Sequence, residues 1–447
     1  MTDPEPDDHD RYPTLTPHGQ AMLEFLREHP HAPVFRNRSG NRLLAEEVQQ
    51  VAEYCDEVCH AAIDWKAEAP PQWIASFVAE CFARVPHYRR LGGAPRDFSE
   101  IEPVSRADFS RDIARFVPDS VSTHRMINFR TSGTSGHPLC LPSHPKVAAS
   151  YLAHHMRALR RFGITLVARR GEVGVVLLGM QRKCFTYVSV TPVLDEAGLA
   201  KINLHPADWN DPADRARYLE ALDPEVIAGD PISFAELLEL PVACRPRALL
   251  STAMTLAPAL RERLELRFGC PVLDLYSMNE AGPIAVFDPA ESGYVLLQPR
   301  LFVEILDSAG NLAGPGERGE IVLTGGFNFC LPLLRYRTGD HASLDCAGPV
   351  PVLRDFSGRP PVRFRRADGE WLNNIEVTHA LRDVSLPQWA MHQDESAGIC
   401  FRHSGSRDCD AAVVTVLRAL LGDLPIRVEA EPPGERKVAQ YTSDLVP

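Results

Sequence analysis

Residues 131–136 concentrate hydroxyl and glycine side chains in a pattern suited to binding an anion. Glycines let successive backbone N–H groups point inward, and the hydroxyls add further donors. Apolar stretches on both sides predict a strand, a turn and a second strand, and the turn would suit a polyphosphate. The alternative is an ordinary polar hairpin turn. The pattern is not the phosphate loop that ends in Gly-Lys-Ser/Thr, because His137 follows the last glycine. The turn consists of Thr131, Ser132, Gly133, Thr134, Ser135 and Gly136.

A second cluster follows an apolar run at residues 272–275, which predicts a strand whose end leaves Tyr276 and Glu280 on a loop. Ligands of open α/β sheets bind at the carboxyl edge of the strands. Tyr276 is suited to stack on a base, and Glu280 to bind Mg²⁺, a hard cation that prefers carboxylate oxygen. The alternative is a strand-end aromatic residue beside a solvated glutamate.

Two further positions could contact a nucleotide. Asp340 comes directly after Thr-Gly at the end of a predicted strand and is placed to accept two ribose hydroxyls. The alternative there is a β-turn, in which aspartate is common. Arg359 follows Gly358 at the start of the last predicted domain, and its alternative is an arginine in a flexible hinge.

Bulk composition limits the partners of this 447-residue chain. A net charge of −12 argues against a general nucleic-acid or anionic-membrane surface, so an anionic ligand must meet local cations. Lysine is rare, and Lys437 is the only lysine beyond residue 201. The eleven cysteines are scattered, no signal peptide is recognisable, and no apolar run approaches membrane-spanning length. We therefore expect a soluble cytoplasmic protein.

The hydrophobic periods predict an α/β fold with two domains. Residues 1–115 are expected to form a helical entry region, with helical spacing from Thr16 to Arg115 and a disordered start at residues 1–12. Short apolar strands alternate with helices over 116–298. The period changes to two over 299–355, which predicts a small β subdomain that completes an N-terminal domain of residues 1–355. Residues 356–447 predict a separate α+β domain. A helix from Ser143 to about Arg161, capped by that serine, is also expected.

In this order, the four clusters resemble the adenylate-forming ligase superfamily. Within it, they are most similar to the phenylacetate–CoA-ligase-like branch that includes the capreomycin-type, coenzyme-F390-synthetase-like proteins. The turn at 131–136 resembles the phosphate loop, and residues 276–280 resemble a Tyr-Gly-x-Thr-Glu signature. The run Arg-Tyr-Arg-Thr-Gly-Asp that ends at Asp340 nearly matches a Tyr-Arg-Thr-Gly-Asp element, and Gly358-Arg359 resembles the hinge.

The resemblance implies a large adenylating domain, a small C-terminal lid and a reaction in two halves. A carboxylate attacks the α-phosphate of Mg·ATP to give an acyl-adenylate and pyrophosphate, and an acceptor, often coenzyme A, takes the acyl group. The resemblance implies that Lys437 of the lid, Glu280 and Arg359 are catalytic residues. It also implies that Glu280 binds the metal ion. The implied nucleotide-binding residues are the turn at 131–136, Thr252, Ala253, Met254, Tyr276, Ser277, Met278, Asn279, Asp340 and Arg359.

Some positions depart from the family pattern. His137 stands where a lysine or small residue is usual, and Thr252-Ala253-Met254 replaces a Gly-Glu element near the adenine. Residues 360–361 are prolines where the hinge carries aspartate, which would hinder rotation of the lid. Only Cys346 remains of a cysteine cluster found in some branch members, so we expect no zinc.

The sequence does not identify the acid that is activated or the acceptor of the acyl group. The acyl pocket is expected along residues 177–187, with Phe185, Tyr187, Met254 and Met278 as its candidate side chains. One alternative enzyme adenylates nitrite and forms a diazo group on an amine. A second alternative is a catalytically silent scaffold of the same fold. Homodimer formation is left open.

Overall fold

The structure is a computed structural model that describes residues 8–63, 65–66, 69–130, 139–356, 362–381, 384, 389–403, 407–430 and 441–445. Its N-terminal region is helical, as predicted, with one short strand. The elements are α1 (Asp8–Arg11), α2 (Pro17–Glu28), α3 (Ala45–His60), α4 (Trp73–Arg84), α5 (Pro86–Arg89), β1 (Val104–Ser105) and α6 (Arg106–Arg111). Helix α4 ends before Pro86 because proline lacks the N–H group that would continue the ladder.

Alternating strands and helices then follow, beginning with a separate two-stranded hairpin and continuing with a mostly parallel sheet. The elements are β2 (Ile127–Arg130), β3 (Cys140–Ser143), α7 (Pro145–Arg161), β4 (Val173–Gly179), β5 (Tyr187–Thr191), β6 (Ala197–Asn203), α8 (Asp214–Leu222), β7 (Val226–Gly229), α9 (Pro231–Glu239), β8 (Ala248–Ser251), α10 (Pro258–Phe268) and β9 (Val272–Met278). The parallel strands run in the order β6-β4-β7-β8-β9, and β5 pairs antiparallel with β6 at the edge. The α/β prediction is confirmed.

Helix α7 begins one residue later than the sequence suggested. Ser143 is the last residue of β3, so it cannot act as the cap. The N-cap is His144, whose side chain accepts a hydrogen bond from the backbone N–H of Lys146 over 3.2 Å. Pro145 occupies the first helical position, where a missing N–H has no consequence.

The antiparallel strands predicted after residue 299 are present. This part contains β10 (Gly282–Asp288), β11 (Gly293–Leu296), β12 (Leu301–Leu306), β13 (Gly319–Gly325), β14 (Leu333–Asp345) and β15 (Val352–Arg354). Hydrogen bonds connect them to the parallel strands in the order β12-β13-β14-β15-β11-β10-β9, and β1 pairs with β14. These strands therefore continue the main sheet, which brings β14 back towards β9.

Buried side chains form a core on each part of this sheet. One core packs α2 and α8–α10 against the parallel strands, with Leu23, Tyr218 and Phe234 at its centre. Another packs α4–α6 against β9–β15, and it includes Tyr276 and Tyr336. Across the described residues, no helix is both long and apolar enough to cross a membrane.

The described residues between 362 and 445 form what we call the C-terminal unit. Its elements are β16 (Arg363–Arg365), β17 (Trp371–Asn373), α11 (Asn374–Ala380), β18 (Trp389–Gln393), β19 (Ile399–His403), α12 (Asp410–Leu421), β20 (Ile426–Ala430) and β21 (Tyr441–Ser443). A sheet in the order β20-β19-β18-β21 encloses its own core around Phe364, Phe401 and Leu417. The boundary at residue 356 stays a prediction.

Candidate active site

The hairpin of β9 and β10 positions Tyr276 and Glu280. Strand β9 continues to Met278, which pairs with Gly282, so Tyr276 lies inside the strand and Glu280 lies at the turn. The expectation that both residues follow the end of the strand is wrong for Tyr276, because pairing with β10 extends the strand. Gly282 has a φ of +73°, and a Cβ atom there would lie 2.6 Å from the ring of Phe327, so this turn requires glycine.

The sequence suggested that Asp340 lies at the end of a strand. The structure instead places it inside β14. Its neighbours form a bulge, because pairing with β13 skips from Arg337 to His341. Gly339 supplies a φ of +72°, and the backbone N–H of Asp340 donates to Thr338 Oγ1 over 3.0 Å. A bulge re-aims the side chains it contains, which explains how a residue in mid-strand faces the β9–β10 hairpin.

Two tyrosines connect the carboxylates of the two motifs. The hydroxyl of Tyr276 donates to Asp340 Oδ2 over 3.1 Å, and that of Tyr336 donates to Glu280 Oε1 over 3.1 Å. Glu280 is 3% exposed and Asp340 is 7% exposed. Burial and the charge of Glu280 raise the pKa of Tyr336 well above its ordinary value, so its hydroxyl keeps the proton that it donates. Tyr276, Glu280 and Asp340 are therefore neighbours.

Arg106 supplies a positive charge to this group. Its guanidinium forms an ion pair with Glu280 Oε1. Strand β1 pairs in parallel with β14, with Val104 opposite Tyr336, and so delivers Arg106 as the first residue of α6. Sequence reasoning missed Arg106, because the capping pattern that begins at Ser105 marks a helix start but does not reveal a distant partner.

The ring of Tyr276 packs in a short aromatic stack. Its centroid lies 4.4 Å from that of Phe356, which lies 4.9 Å from that of Tyr294. The Tyr294 hydroxyl donates to Asp274 over 2.7 Å, so the two tyrosines hold different carboxylates. Phe356 stood in a Pro/Gly-rich connector with no pattern to mark it. The stack fixes the Tyr276 ring and thereby aims its hydroxyl at Asp340.

Residues 252–254 follow the end of β8, which lies beside β9 in the sheet. Thr252 donates its backbone N–H to the carbonyl of Gly229 over 3.0 Å. Ala253 has a φ of +73°, a conformation that favours glycine. Met254 is buried, and Met278 packs partly buried at the end of β9. Both methionines thus belong to the carboxyl edge near Tyr276.

The structure does not bring Phe185 and Tyr187 to that place. Tyr187 lies in β5, and the strands β6, β4, β7 and β8 separate it from β9. At about 4.8 Å per strand spacing, β5 lies about 24 Å from β9. Phe185 is 53% exposed, and its ring centroid lies 5.5 Å from that of Tyr187. Their assignment to the acyl pocket stays a prediction from the sequence.

Several predicted residues lie outside the described part of the chain: the turn at 131–136, Arg359 and Lys437. The flanks of the turn are described. Strands β2 and β3 pair as an antiparallel hairpin, with Arg130 opposite Cys140, which confirms the predicted strand on each side. Leu139 and Leu141 are buried in the same core as Tyr276. The described strands that flank the turn thus pack into the same core as Tyr276.

The C-terminal unit contacts the carboxyl edge of the parallel strands. Glu376 Oε2 accepts the backbone N–H of Arg182 over 2.8 Å. Asn373 Nδ2 donates to the Met180 carbonyl over 3.5 Å, and Arg363 Nη2 donates to the carbonyl of residue 232 over 3.4 Å. Burial raises the pKa of Glu376, although the two backbone N–H groups that it accepts act in the opposite direction.

Residues 126–329, which include the turn at 131–136 and Glu280, match the family of AMP-binding enzymes. The resemblance predicted from the motifs is confirmed. The fold is shared with a solved structure of 2-hydroxyisobutyryl-CoA ligase in complex with 2-HIB-AMP and CoA in the thioesterification state. The two superpose with a TM-score of 0.53 at 18% identity, over 90% of this chain and 91% of that chain.

Two curated proteins are similar to this chain in sequence. Protein CapK of Staphylococcus aureus is 19% identical over 303 residues, which cover 64% of either chain. Phenylacetate-coenzyme A ligase of Pseudomonas putida is 32% identical over 106 residues, which cover 22% of this chain and 24% of that protein. The chain thus spans less than two thirds of the length of either relative.

Proposed function

We propose that this protein is an ATP-dependent, AMP-forming ligase. It activates a carboxylic acid as an acyl-adenylate, releases pyrophosphate and then transfers the acyl group to an acceptor. The match of residues 126–329 to AMP-binding enzymes supports the first half-reaction. The main support for the proposal is that Tyr276, Glu280 and Asp340 lie together although they come from two separate motifs. The hydroxyl of Tyr276 donates to Asp340, and that of Tyr336 donates to Glu280.

The nucleotide would bind along the carboxyl edge between β8, β9 and β14. The Asp340 carboxylate, oriented by the Tyr276 hydroxyl, accepts the ribose hydroxyls in this proposal. The turn at 131–136 binds the phosphates, and residues 252–254 lie beside the base. The left-handed conformation of Ala253 supports a constrained backbone at this point, because strained residues cluster at ligand sites.

Glu280 fits a magnesium ion that arrives with the nucleotide. Among the described residues, no group of three or more histidine, cysteine, aspartate or glutamate side chains could hold a metal. Mg²⁺ commonly takes one or two carboxylates and completes its shell with substrate phosphates and water. Glu280 would supply the carboxylate, and the ion would neutralise phosphate charge. The second carboxylate oxygen of Glu280, Oε2, makes no hydrogen bond to any described residue, whereas Oε1 accepts from Arg106 and Tyr336.

Lys437 and Arg359 complete the proposed machinery. A cation on the lid would neutralise charge that develops between the carboxylate and the α-phosphate. Lys437→Ala is therefore expected to lower the rate of pyrophosphate exchange by about 10²–10³-fold. Arg436→Ala is the matched control, because it removes the neighbouring cation, and its exchange rate should stay near that of the unchanged protein. Exchange at the unchanged rate in Lys437→Ala would refute the assignment.

Coenzyme A is the acceptor that we propose, because the phenylacetate relative and the structural relative are both CoA ligases by name. An amine and a carrier protein remain alternatives. Mass spectrometry of products formed from ATP, CoA and a library of carboxylic acids tests this choice. Appearance of AMP with nitrite and an amine, but with no acid in the library, would favour the diazo-forming alternative. Absence of a thermal shift with Mg·ATP would favour the silent scaffold.

We also propose that the protein works in the cytoplasm, without a nucleic-acid or membrane partner. No disulfide joins any cysteines among the described residues, which suits a reducing compartment. The net charge of −12 disfavours anionic surfaces as partners. Sedimentation of the purified chain would decide between a monomer and a homodimer.

A further inference from the structure

The ion pair between Arg106 and Glu280 is built by the fold. Pairing of β1 with β14 fixes the backbone of Arg106 beside the strand that carries Tyr336. The side chain of Arg106 is 16% exposed and that of Glu280 is 2% exposed. A contact shielded from water in this way is screened less by salt than a surface ion pair. The carboxylate proposed to meet Mg²⁺ thus already has a cationic partner.

We propose that Arg106 is the resident counter-ion of Glu280 and makes divalent-cation binding depend on nucleotide. This inference rests on the proposed function, because it takes Glu280 as the carboxylate that meets Mg²⁺. In the nucleotide-free protein, the guanidinium neutralises the single negative charge of Glu280. A divalent ion at Oε2 would therefore sit beside a fixed positive charge, which repels it.

A triphosphate changes this balance. It brings several negative charges and additional oxygen ligands into the site, so it attracts both the metal ion and the guanidinium. Glu280 could then hold the ion while Arg106 keeps its ion pair with Oε1. Metal and nucleotide should bind together, and the metal alone should bind weakly. Arg106 is accordingly a positioning residue that acts through Glu280.

The test is a titration of the full-length, nucleotide-free protein with Mn²⁺, followed by electron paramagnetic resonance of the free ion. Arg106→Gln removes the counter-ion, so Mn²⁺ should bind about tenfold more tightly or better than to the unchanged protein. The double variant Arg106→Gln/Glu280→Gln should lose this gain. Arg106→Met is a second neutral variant with a similar apolar stem, and it should behave like Arg106→Gln.

Arg111→Gln is the matched control. Arg111 lies on the same helix and carries the same charge, but its side chain is 77% exposed and pairs with Asp108. Its Mn²⁺ affinity should stay within about twofold of the unchanged protein, because an exposed charge is strongly screened. An equal gain in Arg111→Gln would overturn the inference, since it would reflect net charge alone.

A second titration, with a non-hydrolysable ATP analogue present, separates this inference from the proposed function. If Glu280→Gln weakens Mn²⁺ binding with the analogue, but both neutral Arg106 variants bind Mn²⁺ no better without it, only the counter-ion role is refuted. If Glu280→Gln leaves the nucleotide-dependent binding intact, the metal role of Glu280 is refuted and the inference falls with it.

Discussion

Glu304 and Arg335 form a buried ion pair whose removal should have an asymmetric effect. Each residue is 5% exposed. Arg335 Nε donates to Glu304 Oε2 over 3.1 Å, and Arg335 Nη2 donates to Glu304 Oε1 over 3.0 Å. Arg335 Nη1 also donates to the carbonyls of Ser99 and Ile101, each over 2.7 Å. The pair therefore ties β12 and β14 to the segment before β1. It shares β14 with Tyr336 and Asp340.

The structure allows the cost of each change to be worked out. Glu304→Leu leaves a buried guanidinium without its carboxylate, which should cost about 3–5 kcal/mol of local stability. The double variant Glu304→Leu/Arg335→Met removes both charges and leaves mainly the buried carbonyl of Ile101 without a donor, which should cost about 1–3 kcal/mol. The double variant should therefore be more stable than the single one. Burial raises the pKa of Glu304 despite Arg335, which agrees with a net cost for burying this charge.

Hydrogen exchange of the β12–β14 amides measures the local free energy directly, without assuming that the whole chain unfolds in one step. The control is Arg402→Met, which breaks the pair of Arg402 with Glu429. That pair is exposed, at 49% and 33% for the two side chains, so its loss should cost less than about 1 kcal/mol in β19. A double variant that is less stable than Glu304→Leu would refute the reasoning.

Two further predictions follow from hydrogen bonds at the site and at the C-terminal unit. Tyr276→Phe should weaken binding of an ATP analogue by about tenfold, because Asp340 loses a charge-assisted hydrogen bond. Calorimetry measures this, with Tyr294→Phe as the control in the same aromatic stack and a much smaller expected effect. Docking of the C-terminal unit at Glu376 should become more favourable as pH falls, because burial raises the pKa of Glu376 and the carboxyl takes up a proton on docking. The gain should begin below the raised pKa and end near the ordinary value of 4.5. Protection of the Arg182 amide reports it, and a pH-independent protection would contradict the argument.

Much of the sheet could be predicted from the sequence because its signals are local. The apolar runs at 173–178 and 226–228 correspond to β4 and β7, since strands buried on both faces need continuous apolar residues. The cap of α7 was misplaced by one residue, because His144 provides an acceptor as Ser143 would have done. Local patterns with two equivalent candidates do not decide between them.

The site was harder to predict, since its contacts join residues far apart in the chain. The motifs identified Tyr276, Glu280 and Asp340 as a set. The short distance between these residues, however, depends on how β10, β11 and β15 connect β9 to β14 in the sheet. The bulge that aims Asp340 is suggested locally only by the glycine before it. Arg106 carries no local signal, because its partner is brought to it by the pairing of β1 with β14.

The three hydrogen bonds described between the C-terminal unit and the rest of the chain all end on main-chain atoms, those of residues 180, 182 and 232. A peptide group offers the same acceptor whichever side chain it bears, and the same donor for every residue except proline. Mutations in the β4–β5 segment can therefore accumulate over evolution without erasing the surface on which the C-terminal unit rests. The side chains of this segment can therefore change while the docking geometry of the C-terminal unit stays the same.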